Sequence, residues 1–264
     1  MDLEKLTTEA IEVVKETGKF ITREKEGFMI SSIESKGTHN FVTHVDKGAE
    51  EKLVKGLSEL LPASGFIAEE GTGKEEKGSF NWVIDPLDGT TNFIHGSPPY
   101  AVSVALMNGN RILLGIVYEI THGEIFHSFL EAPAYLNSEV IKVSNVGKVS
   151  DSLIATGFPY SSYGRMEPFM KTLDHFFLNS HGVRRLGSAA TDLAYVACGR
   201  YDAFYEYNLK PWDVAAGAFL VQQAGGKIGD FRGGEDYLFG GEIVASNDKI
   251  FNEFQQAVGM FMNI

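Results

Sequence analysis

A mixed α/β fold is predicted for this chain, and three observations carry the prediction. Leu3, Leu6, Ala10, Ile11 and Val14 recur at helical spacing close to the N-terminus. Two apolar runs, Tyr100 to Leu106 and Arg111 to Tyr118, are joined by Asn108-Gly109-Asn110, a hairpin connection, so at least one sheet is antiparallel. Beyond residue 146, short β-like runs alternate with helical segments.

The elements follow in order. A first helix is expected over residues 2–18, ended near Gly18. Residues 31–44 are rich in Ser, Gly and polar side chains without a sustained period, and are expected to form a loop. A second helix is expected from Lys47 to Leu61, stopped by Pro62. Gly65-Phe66-Ile67-Ala68 reads as a short strand that delivers Glu69-Glu70 at its end, and Lys74 to Gly78 as an exposed charged loop. Trp82, Val83 and Ile84 end a buried strand, and Glu124 to Phe129 adds a third strand to the hairpin. In the second half, strands are expected at Ser152 to Ala155, Val183 to Leu186, Asp202 to Glu206 and Ile243 to Ala245. Helices are expected at Arg165 to Leu178, from the Gly187-Ser188 turn to Gly199 with Ser188 as its cap, at Trp212 to Ala224, and at Asp248 to Met262. No repeat or low-complexity linker separates the halves. One domain over 1–264 is expected, with an α+β half up to residue 145 and an α/β half over 146–264.

Composition narrows the function. A hydrophobic content of 44% with 19 Phe is ample for a substantial core. The net charge of -12 argues against a nucleic-acid or anionic-membrane binder, although an acidic protein holds phosphates when divalent cations bridge the two. The single cysteine, Cys198, excludes an internal disulfide and lies in an apolar helical run, where packing is its expected role. Residues 1–26 are dominated by Glu, Lys and Thr rather than by a signal peptide, and no apolar run reaches the ~18 residues of a membrane span. A cytoplasmic location is expected.

The chemistry concentrates in Trp82 to Gly96. A buried strand runs into Asp85-Pro86-Leu87-Asp88-Gly89, a turn carrying two carboxylates. Oxygen ligands of this kind suit Mg2+, and Gly89, Thr90 and Thr91 then offer N–H groups and hydroxyls to an anion held by the cation. An Asp-Gly hairpin turn is the competing reading. An EF-hand loop is excluded, because Gly96 stands where the twelfth-position Glu belongs and Pro86 is wrong for that loop.

Three motifs carry a resemblance: Asp85-Pro86-Leu87-Asp88-Gly89-Thr90-Thr91-Asn92-Phe93, Trp212-Asp213-Val214-Ala215-Ala216-Gly217, and Glu69-Glu70 after a short strand. In type, order and spread over the chain they resemble the inositol monophosphatase family of metal-dependent phosphomonoesterases. The resemblance implies a layered α-β-α-β-α sandwich, the architecture shared with fructose-1,6-bisphosphatase. It implies Glu69, Asp85 and the Leu87 carbonyl as ligands of a first metal, and Asp85, Asp88 and Asp213 as ligands of a second. Glu69 reaches a weaker third ion through water, giving two to three Mg2+ for which Mn2+ substitutes. Thr90 and Asp46 are implied as the pair that orients and deprotonates the attacking water, and Lys36 as a group that reaches the water or the phosphate. Phosphate is expected against Asp88, Gly89 and Thr90. The organic part of the substrate is expected against Gly187, Ser188, Ala189 and Glu206, seven residues before Asp213, with Asp213 itself adjoining it. Glu70, Arg184 and Arg185 are further possible contacts. Bland roles stand beside these: helix capping for Asp46 and Asp213, a strand-end acid for Glu206, solvated side chains for Lys36, Glu70 and Arg184.

The implied activity is Mg2+-dependent hydrolysis of a small phosphate monoester, myo-inositol 1-phosphate first. Fructose 1,6-bisphosphate, histidinol phosphate and nucleotide 3'-phosphates are the alternative substrates, and a regulatory interaction protein is the alternative class. The resemblance further implies a homodimer and inhibition by Li+.

Overall fold

The computed structural model describes residues 1–27, 34–37, 40–74, 80–159 and 163–263. Helix α1 (Leu3–Glu26) starts at an Asp2 cap, where the Lys5 N–H donates to Oδ1 at 3.0 Å, and runs well past the expected stop. Gly18 is not a terminator: it lies against the Tyr118 ring, and any Cβ there would overlap that ring. The expected loop over 31–44 contains a two-stranded ribbon, β1 (Glu34–Gly37) and β2 (Asn40–Val42). Helix α2 (His44–Leu60) begins earlier than expected because Thr43 caps it and Asp46 closes a capping box.

Strands β3 (Gly65–Ala68) and β4 (Phe80–Asp88) lead to a short helix α3 (Thr90–His95), which sequence periodicity does not reveal. Strands β5 (Ala101–Asn108), β6 (Arg111–Glu119) and β7 (Glu124–Phe129) form the expected meander, extended by the two-residue strands β8 (Tyr135–Leu136) and β9 (Glu139–Val140). These seven strands make one sheet in the order β3 to β9, antiparallel throughout except for β3 beside β4. The second half contributes β10 (Leu153–Thr156), α4 (Met166–Asn179), β11 (Gly182–Arg184), α5 (Ala189–Ala197), β12 (Ala203–Tyr207), α6 (Pro211–Gln223), β13 (Gly226–Gly229), β14 (Glu242–Asn247) and α7 (Phe251–Met262). Its five-stranded sheet has the order β11-β10-β12-β14-β13; β13 is absent from the sequence expectation, because Gly226-Lys227-Ile228-Gly229 is too short and Gly-rich to read as a strand.

Three cores separate five layers. Leu6, Val14, Leu53, Trp82, Ile84 and Ile116 pack α1 and α2 on one face of the large sheet. Val83, Val117, Leu193, Phe204, Phe219 and Leu220 join its other face to α5, α6 and the small sheet. Ile154, Phe169, Phe176, Tyr205 and Phe254 pack α4 and α7 on the outer face of the small sheet. The result is the α-β-α-β-α sandwich.

Candidate active site

The pleat of β4 decides what each of its residues faces. Trp82 and Ile84 enter the core under α1 and α2, whereas Val83 enters the core under α5 and α6. Asp85 continues the Val83 face. Residues spaced three apart on a regular strand face opposite ways, which would send Asp88 to the wrong side. The register prevents this. Asp85 pairs with Ser103 and Asp88 with Ala101, so β4 uses three steps where β5 uses two, the mark of a β-bulge. Pro86, which has no N–H to offer a ladder, sits in the bulge. Leu87 packs toward α1 and α2, and both acids face the α5–α6 layer.

Asp213 arrives from the first turn of α6, where one of its oxygens accepts the Lys210 N–H at 2.6 Å. The Ser103 hydroxyl, opposite Asp85 in the ladder, donates to the Trp212 carbonyl at 3.1 Å and ties that helix start to β5. One carboxylate oxygen from each of Asp85, Asp88 and Asp213 lies within 4.8 Å of the others. Asp88 is also held by α5: its Oδ2 accepts the Ser188 hydroxyl at 2.6 Å and the Ala190 N–H at 2.7 Å. Asp85 Oδ1 accepts the Leu87 N–H at 2.9 Å.

Burial and crowding disfavour the charged forms of these acids. Asp85 is raised well above the usual carboxylate range by burial, then by the charges of Glu69, Asp88 and Asp213. Burial pushes Asp88 up to about 6 against the bonds from Ser188 and Ala190, and pushes Asp213 up to about 7 with help from Asp88. Three converging oxygens that repel one another fit a hard divalent cation, which would relieve the repulsion.

Glu69 follows β3, whose Ala68 pairs with Ile84 in parallel, so it emerges level with Asp85 on the neighbouring strand. Thr90 opens α3 after Gly89, whose left-handed backbone (φ 92°) disfavours a side chain and where a Cβ would lie tightly against the Gly187 and Pro99 carbonyls. The Thr90 hydroxyl lies 2.9 Å from Asp46 Oδ1 and 3.0 Å from the Leu87 carbonyl. Asp46 is buried beneath it and raised by that burial.

These residues meet at a cavity of about 290 Å3. Glu69, Asp85, Leu87, Asp88 and Asp213 line it together with Gly89, Thr90, Gly187, Ala189 and Glu206. Glu206 is buried at the end of β12 and raised well above the usual range by burial, then by Asp213 and Asp88. Gly157 makes room for it, since a Cβ at 157 would overlap the Glu206 carboxyl.

Some expected residues lie elsewhere. Ser188 does not line the cavity; its hydroxyl is turned to Asp88. Arg184 is exposed and donates to the Val183 carbonyl, whereas its neighbour Arg185 lines the cavity, because successive residues of an extended chain face opposite ways. Glu70 also stands off the cavity and engages α2 through its backbone. Lys36 belongs to β1, and its side chain lies outside what the structure describes. Sequence reasoning also missed Asn92, whose amide donates to the Pro99 and Leu186 carbonyls at 2.7 and 2.8 Å and fastens α3 to the loop before α5.

Residues 2–258 match the model of the inositol monophosphatase family. The chain belongs to this family. It is 39% identical over 247 residues to the Nus factor SuhB of Pseudomonas aeruginosa, covering 92% of this chain and 91% of that protein. It is 37% identical over 249 residues to the inositol-1-monophosphatase of Mesorhizobium japonicum, covering 94% of each. Among solved structures, the extragenic suppressor protein SuhB of Bartonella henselae superposes with a TM-score of 0.89 at 34% identity, over 94% of this chain and 96% of that one. The family is one of metal-dependent phosphatases, and the Asp85, Asp88 and Asp213 cluster accords with that.

Proposed function

We propose that this protein hydrolyses small phosphate monoesters with Mg2+, and that myo-inositol 1-phosphate is its foremost substrate. The observation that carries the reading is the convergence of Asp85, Asp88 and Asp213 in a cavity that Glu206 also lines. Glu69, Asp85 and the Leu87 carbonyl would hold one cation, Asp85, Asp88 and Asp213 a second, with Glu69 reaching a third. Bound divalent cations supply positive charge to phosphoryl oxygens and lower the pKa of water. Mn2+ serves in place of Mg2+ because it takes the same oxygen donors.

The protein's own groups supply the rest. Thr90 orients a water through its hydroxyl, and Asp46 behind it receives the proton. The N–H groups around Gly89 and Thr90 face the phosphate, and Glu206 with the Gly187–Ala189 turn accepts the substrate's hydroxyls. The single core shared by α5, α6 and both sheets supports one domain over the whole chain. A homodimer is the proposed assembly, on family grounds, and light scattering tests it. Neither direct nucleic-acid binding nor a membrane role is proposed: the chain is acidic, and no helix among the described residues is long and apolar enough to cross a membrane. A cytoplasmic location remains part of the proposal.

A panel of phosphate monoesters assayed with Mg2+ and with EDTA tests the activity. Hydrolysis indifferent to EDTA overturns the metal reading, and faster turnover of fructose 1,6-bisphosphate, histidinol phosphate or a nucleotide 3'-phosphate overturns the substrate.

A second reading rests on relatives of 37–39% identity that bear the name Nus factor SuhB. It gives the fold a regulatory partner besides its substrate. A cellular phenotype that survives Asp88→Asn, with turnover lost, supports partner binding; a phenotype lost with turnover supports the enzyme alone.

A further inference from the structure

We propose that Glu50 is a positioning residue for the metal-binding acids, holding the turn that carries Glu69 to the cavity. The inference rests on the metal-dependent reading above. Glu50 lies on α2 and is fully buried. Its Oε2 accepts the Glu70 N–H and its Oε1 the Thr72 N–H, each at 2.7 Å. Both oxygens are thus spent on the backbone immediately after Glu69. Such bonds to an ionised acceptor are short and strong, but a buried carboxylate is a costly way to hold a turn. The cost is understandable where the turn must place a ligand.

The location of Glu50 strengthens the case. It stands four residues after Asp46, on the same face of α2. One helix face therefore supports Thr90 through Asp46 and the Glu69 turn through Glu50. On the other flank, the Glu69 N–H bonds the Ile84 carbonyl at 3.4 Å, one residue before Asp85. Glu69 is held between these two ties, one to the strand that carries Asp85 and Asp88 and one to the helix that carries Asp46.

A second buried carboxylate uses the same chemistry without the same neighbourhood. Glu119, also fully buried, accepts the Thr121 and His122 N–H groups at 2.9 Å each and does not line the cavity. It is the control for a merely structural clamp.

Calorimetric titration of Mn2+ into the wild-type protein, Glu50→Gln and Glu119→Gln, with no substrate present, tests the proposal. Glu50→Gln keeps the volume but leaves one oxygen to serve two N–H donors. It should weaken the tightest Mn2+ site by about 10- to 100-fold, the usual effect of removing a group that orients a ligand. The half-saturating Mg2+ for turnover should rise in parallel, with KM at saturating Mg2+ little changed. Glu119→Gln should lower the melting temperature and leave Mn2+ affinity alone. Glu50→Asp retains the charge but draws it back by one methylene, and should weaken the same site if Glu50→Gln does not fold. Wild-type Mn2+ affinity in the Glu50 variants, or equal losses in the Glu50 and Glu119 variants, overturns the inference. A wild-type protein that binds no Mn2+ overturns the metal-dependent reading instead.

Discussion

Asp46 divides its carboxylate between two tasks: Oδ2 accepts the Thr43 N–H at 2.8 Å and the Thr43 hydroxyl at 2.6 Å, and Oδ1 lies 2.9 Å from the Thr90 hydroxyl. The capping role and the catalytic role anticipated for this residue are therefore compatible, one oxygen each. Asp46 occupies the third position of α2, with Thr43 as the cap itself. Thr90→Ala should lower kcat by about 10²- to 10⁴-fold, the range for a lost proton-transfer partner, with Mg2+ half-saturation little changed. Steady-state kinetics across a Mg2+ series checks this, and equal losses in both quantities contradict it.

Asp85→Asn and Asp213→Asn each remove one charge from a mutually repelling group. Both variants should lose Mg2+-dependent turnover while their metal-free forms unfold at the same or a higher temperature than the wild type. Full activity in either, or a collapse of the far-ultraviolet dichroism, refutes the site.

The metal-free protein should become less stable as pH rises from 5 to 8. Asp88 (about 6) and Asp213 (about 7) bind protons in the folded state at pH values where unfolded carboxylates have released theirs, and Asp85 and Glu206 are raised in the same direction. Their contribution is full below the ordinary carboxylate range and is lost as pH passes through the raised values. Mg2+ should stabilise more at pH 8 than at pH 5, because ligands bind metal in their deprotonated form. Urea titrations with and without Mg2+ give the measurement. A flat metal-free profile would refute the crowding of the acids.

A methyl group at Gly157 would overlap the Glu206 carboxyl. Gly157→Ala should therefore displace that acid and raise KM for inositol 1-phosphate by about 10- to 100-fold, the equivalent of a lost hydrogen bond to a charged group. Mg2+ dependence should stay as it was. Unchanged KM would remove Glu206 from substrate recognition.

Asp192 is buried in α5, and neither of its carboxyl oxygens has a hydrogen-bond partner among the described residues. Burial raises its pKa well above the usual range, followed by the charges of Glu206 and Asp88. Replacing an orphaned polar group by an apolar one of similar size removes a penalty of about 1–3 kcal/mol, so Asp192→Leu should shift the urea midpoint upward. A lower midpoint would show that the carboxyl is satisfied after all.

The cavity acids were legible in the sequence because their motifs are local and dense: Asp85 to Asn92 packs strand, bulge, turn and helix start into one short stretch. The longer helices and the meander were legible from their periods. What escaped notice depended on distant contacts. Gly18 looks like a helix stop until the Tyr118 ring is seen against it. Which of Arg184 and Arg185 faces the cavity depends on the phase of a three-residue strand set by β10. The Gly187–Ala189 turn suggests Ser188 as a substrate contact, whereas its hydroxyl is spent on Asp88 from a hundred residues earlier. Helix α3 and strand β13 are too short for any period to show.

The extra residue in β4 has a consequence for how the strand facing it can vary. Adding one residue to β5 between Ala101 and Ser103 would restore an even ladder of three steps against three and rotate β4 beyond Asp85 by half a pleat, exchanging inside for outside. Asp88 would then be driven toward the apolar core that holds Trp82, Ile84 and Phe93, and Leu87 would project into the cavity. Point substitutions can grade this centre's performance, but a single-codon insertion in the facing strand would turn a ligand into an unfolding lesion.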